Sequence, residues 1–261
     1  MPKLFTRALY AAAAATVVAS TVGLSAGMAN ASTTRAHDTA SCGTNCISLF
    51  SRPLGSGTTL NAYVPGDTGV GGKVGQKVNM HLAVNTRPNG DWQPSLSGFV
   101  FQFCGLLAND FFSPTSYLCL KHPFYPVIEL NWAPFGNQSG LCAGVAKGAV
   151  AGESVTLQSC GQTANTVWVG DPNAGTGGPH GACIGPVPQF LLPVGPNDPN
   201  INFCPLINGG DTAFSQPLVL TLNTGTQAPQ NQLQLERLSL LNHVARGDQL
   251  FAYFADQHGG V

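Results

Sequence analysis

Apolar residues in this chain come in short runs, separated by glycine, proline and asparagine, and several of the runs alternate with polar residues. Val78, Met80, Leu82 and Val84 share one side of an extended segment, while Asn79 and His81 take the other. Val155 and Leu157 stand likewise against Thr156 and Gln158. A period of two buries one face and leaves the other wet, which an antiparallel sheet permits; His81 is then expected as an exposed strand residue. Strands are predicted over 47–50, 60–64, 78–84, 99–103, 127–130, 154–159, 166–169, 190–192, 218–222, 233–238 and 250–254. The stretch 238–244 reads equally as a helical turn or a strand. No long window carries an apolar stripe of helical period. Short strands with turn signals between them indicate an all-β sandwich or barrel.

The order of the runs echoes itself. VIELNW, LCAGVA, SVTLQSC and TVWV fill 127–169, and FLLPV, FCPLING, LVLTLN and LQLERL fill 190–238 in the same sequence. The runs at 47–50, 60–64, 78–84 and 99–103 can be laid beside both. One such unit has open edges and a face it cannot bury alone; three closing into a barrel capped by hairpins remove both problems. Three units of four strands predict a β-trefoil of mostly short antiparallel strands. The stretch 238–261 supplies more strand than twelve, and LSLLNHV and QLFAYF are candidates to close the barrel in place of the first set.

The N-terminus changes the picture of where this domain works. MPKLFTRALY carries Lys3 and Arg7 and no acid, and the residues up to Ala31 are uncharged and small or apolar. That is the build of a secretory signal, with cleavage expected after Ala29-Asn30-Ala31. Its apolar core falls short of the roughly 20 residues that span a bilayer. The expected organisation is a signal peptide at 1–31, a polar lead-in at 32–41 and a single domain at 42–261, secreted and with no transmembrane segment in the mature chain. Removing Lys3 and Arg7 from the eleven bases leaves nine, against twelve acids. So few bases make no patch that neutralises phosphates, which argues against nucleic-acid or anionic-membrane partners.

Cys42, Cys46, Cys104, Cys119, Cys142, Cys160, Cys183 and Cys204 all lie beyond the signal. An even count in an exported chain reads as disulfides. Short sequential loops (42–46, 104–119, 142–160 and 183–204) are the first expectation among many possible pairings. No cysteine pair has metal-site spacing and no histidine stands in finger register, so no metal and no cofactor are expected.

One segment is more specific. GLCAGVAKGAVAGESVTLQSCGQTANTVW, residues 140–168, resembles one lobe of a ricin-type β-trefoil, the lectin-like domain of secreted bacterial proteins. Gly140, Cys142, Val145, Gly152, Val155, Leu157, Cys160 and Trp168 stand where that pattern has them. The resemblance implies a Cys142–Cys160 bond and a core role for Trp168. It also implies a sugar pocket built from an Asp, an aromatic platform and an Asn-Gln pair. Here Gly144 takes the Asp position, Gln158 the aromatic position and Thr166 that of the Gln, leaving Asn165 as the matching residue. The pocket of this lobe is therefore expected to be degenerate.

Catalytic candidates do not assemble. Glu129 lies in an apolar strand near Tyr125 and Trp132, but alternation favours its facing solvent, and Asp110, Glu153 and Asp171 offer no ranked second carboxylate for glycoside hydrolysis. His122 and His180 sit in loops rich in glycine and proline, and no Gly-x-Ser-x-Gly elbow occurs. His243 and Asp248 are isolated, and the DPNAG and NDPN turns read as Asx turns before they read as calcium ligands. No catalytic residue is assigned and no enzyme is expected. Aromatic loops remain: Phe111 and Phe112 after Asp110, and Phe124 and Tyr125 among prolines. Rigidly held, exposed aromatics are preorganised contact residues; the alternative is that they plug the open end of the barrel. The expectation is a non-catalytic binding module contacting a protein, cell-surface glycan or wall polymer through Phe111, Phe112, Phe124, Tyr125, Glu129 and Asn165. The alternatives are a structural or inhibitory secreted protein, or a lectin with an altered pocket.

Overall fold

The computed structural model describes residues 47–51, 60–64, 72–82, 92–104, 112–113, 115–134, 138–161, 163–176, 203–223 and 232–255. The chain divides into two units, Met1–His37 and Asp38–Val261, and every described residue belongs to the second. The segments read as signal and lead-in lie outside the described residues, as do Cys42, Cys46, Cys183, Asp110, Phe111, His180 and the run at 190–192.

The described fold is all-β, with mostly short antiparallel strands and a single five-residue α-helix among the described residues. In chain order the strands of the main sheet are β1 (Ile47–Ser51), β2 (Leu60–Tyr63), β3 (Asn79–Leu82), β4 (Trp92–Phe99), β5 (Pro126–Trp132), β6 (Leu141–Gly144), β7 (Thr156–Ser159), β8 (Val167–Gly170), β9 (Leu206–Asn208), β10 (Leu218–Leu222) and β11 (Leu233–Arg237), with β14 (Phe251–Ala255) last. A separate hairpin, β12 (Leu240–Leu241) and β13 (Val244–Ala245), precedes β14. Helix α1 is Tyr117–Lys121.

Six segments pair in a closed cycle. β1 meets β4 at Ile47–Trp92, β4 runs along β5, β5 meets β8 at Ile128–Trp168, and β8 meets β9 at Trp168–Asn208. Cys204, just before β9, bridges to Phe251, and β14 returns along the whole of β1. Outside the cycle stand three hairpins, β2–β3, β6–β7 and β10–β11. Their backbones bond to one another in rotation. Val78 N–H donates to the Val155 carbonyl (3.0 Å), Val155 to Leu233 (2.9 Å) and Leu233 to Val78 (3.1 Å). The buried indoles of Trp92 and Trp168 tie strand to hairpin, donating to the carbonyls of Ala62 (3.1 Å) and Ala143 (2.9 Å).

Alternation explains the main core and where it fails. Ile128, Leu130 and Trp132 of β5, and Leu218, Leu220 and Leu222 of β10, point into it. The intervening Val127 and Val219 are also buried, in a second apolar cluster with Phe50, Val100, Phe112, Leu118 and Val167. These strands are thus covered on both faces, and LVLTL of β10 reads as a nearly continuous apolar run.

Three sequence expectations change. FVFQF at 99–103 is not a strand: the strand lies earlier, at Trp92–Phe99, and Val100–Phe103 is a 3-10 turn. Gly98 is the cause. It adopts φ +140°, the ladder to β5 slips between Leu96 and Gly98, and an added Cβ would meet the Gln102 Oε1 at 2.5 Å. The stretch 238–244 resolves as hairpin β12–β13, with Asn242 (φ 51°) and His243 (φ 68°) both left-handed at its tip, as a tight primed turn requires. The alignment of the runs changes as well: hydrogen bonding matches Leu233 with Val78 and Val155, so the run at 233–238 corresponds to those at 78–84 and 154–159 rather than to the one at 166–169.

Cysteines 104 and 119 are bonded, as are 142 and 160. Cys204 is also disulfide-bonded, and no cysteine among the described residues is free.

Candidate binding surface

Helix α1 and the turn after β4 build one platform. Ser116 caps the helix, its hydroxyl accepting from Cys119 N–H, and Tyr117 N–H donates to the Ala213 carbonyl (2.9 Å). His122 N–H closes the helix on the Leu118 carbonyl (2.8 Å), and Pro123 prevents its continuation. The following turn zips to the 3-10 segment: Val100 N–H donates to Tyr125 (3.0 Å) and Phe101 N–H to Pro123 (2.7 Å). The Cys104–Cys119 disulfide joins the same two segments from their other ends.

On this platform three phenylalanines form an exposed ridge. Phe99, Phe101 and Phe124 are 42%, 51% and 76% exposed. Phe99 stacks on Phe101 with centroids 6.2 Å apart, and Phe101 meets Phe124 at 5.9 Å. Leu120, on α1, is a further exposed apolar side chain.

A polar layer lies behind the ridge. The buried His122 ring stacks on Tyr125 (4.4 Å), packs against Tyr117 (5.2 Å) and places Nε2 3.4 Å from the buried Asp171 carboxylate. Asn173 N–H donates to Asp171 (3.0 Å), and its side-chain amide donates to the Tyr125 hydroxyl (2.7 Å). Burial chiefly, and the Asp171 charge second, push both tyrosine hydroxyls above their ordinary pKa.

The residues singled out from sequence separate. Phe124 is in the ridge, whereas Tyr125 is half-buried with its ring stacked on His122. Phe112 is not exposed: it is 3% accessible, against Phe103 at 5.7 Å, and seated over Gly209, where a Cβ would come within 2.5 Å of its ring. Phe111 lies outside the described residues. Glu129 does not face solvent: it is 4% exposed and accepts hydrogen bonds from Thr166 Oγ1 (2.7 Å) and Gly161 N–H (3.2 Å). Gly161 and Thr166, distant in sequence, meet it on that side of β5, which alternation alone does not reveal. His81 falls in β3, its side chain outside the described set. Phe99 and Phe101 were hidden in a run that reads as a buried strand; Gly98 is the signal that the run turns.

Within 140–168, the residues compared above with a sugar pocket sit as follows. A Cβ on Gly144 would lie 2.7 Å from the Asn165 carbonyl and 3.0 Å from Thr166 Cγ2. Gln158 donates to Thr156 Oγ1 (2.6 Å), and the Asn165 carbonyl accepts from Val145 N–H and Asn208 Nδ2, both at 3.2 Å.

No protein-family model and no curated protein matches the chain. Among solved structures it is similar to a chain of a mosquitocidal holotoxin, described for its structure and mode of action, at 11% identity and a TM-score of 0.41. That likeness covers 81% of this chain and 17% of the holotoxin chain, so this chain spans under one fifth of its length. It is also similar to a Caenorhabditis elegans protein with unknown function, at 10% identity and a TM-score of 0.35, over 81% of this chain and 94% of that one. Neither likeness bears on the fold or activity of this chain. Among the described residues no helix is long and apolar enough to cross a membrane.

Proposed function

We propose that this chain is an exported, non-catalytic binding module on a β-trefoil scaffold, and that its contact surface is the Phe99–Phe101–Phe124 ridge. The observation that carries the reading is the ridge itself: three exposed rings in a row, Phe101 meeting both others, on a disulfide-clamped platform. Isolated exposed apolar side chains are ordinary, whereas contiguous ones mark contact surfaces. Rings fixed in advance lose little entropy on binding.

The trefoil reading is supported by the closed strand cycle and by the rotating bonds among Val78, Val155 and Leu233. Export is supported by the signal pattern at 1–31 and by the disulfides. The non-catalytic reading is supported by the setting of His122, whose Nε2 is buried against Asp171 rather than presented to a substrate. The crowded Gly144 position supports a lobe that does not take simple galactosides.

The test is a Phe99→Ala, Phe101→Ala, Phe124→Ala variant. It is expected to keep the wild-type circular dichroism and melting profile and to lose whatever the immobilised wild type retains. A folded variant with undiminished binding refutes the ridge as the contact surface. Calorimetric titration with galactose and lactose is expected to be silent at millimolar sugar.

A further inference from the structure

We draw no further inference here: the strongest candidate, the exposed apolar patch of Phe99, Phe101 and Phe124 beside helix α1, belongs to the surface already described, and nothing in the structure shows what covers it.

Discussion

At Gly144 the neighbouring main chain decides what the position accepts. The backbone of the 165–166 turn occupies the space a side chain would need, so an acid placed there is not expected to create a sugar site. Gly144→Asp is expected to destabilise the fold by about 1–3 kcal/mol through overpacking, read by denaturant unfolding, with galactose titration still silent. Tyr117 and Tyr125 make a second residue-scale case. Their hydroxyls ionise above the ordinary 10.0, burial first and Asp171 second. Between the ordinary value and the raised one, the folded state holds protons that the unfolded state releases. Stability from this source is intact below about pH 10 and falls as pH rises through the folded values. Alkaline absorbance titration is expected to show late-ionising tyrosines, with the melting temperature dropping over the same range; ordinary ionisation of every tyrosine would contradict the burial.

At the scale of elements, α1 is too short to persist alone. It stands because Ser116 caps it, the Ala213 carbonyl takes its first amide, Leu118 is buried and Cys119 is tethered to Cys104. The tether closes a loop with a sequence separation of 15. Cys104→Ser with Cys119→Ser is therefore expected to cost about 3 kcal/mol, to leave the β-sheet dichroism intact, and to speed proteolysis near Phe124. Hairpin β12–β13 holds a non-glycine residue, His243, at φ 68°. His243→Gly relieves that strain and is expected to raise stability by about 1 kcal/mol, measured as a shift in the unfolding midpoint.

At the scale of the whole molecule, the bonds among Val78, Val155 and Leu233 link three hairpins far apart in sequence. Each needs two hairpins in place and the set needs all three, so together they report on assembly of the sheet. Their amides are expected to exchange with solvent only through global unfolding, at the same free energy as denaturant unfolding. An amide that exchanges early would mean that its hairpin opens by itself.

The local pattern of this sequence determines most of the strands. LVLTL at 218–222 is β10 residue for residue, the alternation of 78–80 and 155–157 puts Val78, Met80, Val155 and Leu157 in the core, and the first expectation of pairing neighbouring cysteines holds for 104–119 and 142–160. Periodicity reports only whether a residue faces one side or the other; it does not say what covers each side. Tertiary structure decided that. Glu129 is buried where Gly161 and Thr166 close over it, and Phe112 because Gly209 leaves its ring a seat. Phe99 and Phe101 are exposed because the β4 ladder slips at Gly98 and the chain turns after Phe99 against the 123–125 segment. Facing is a local property of the chain; coverage depends on segments distant in sequence, and on it rest both the buried acid and the open ridge.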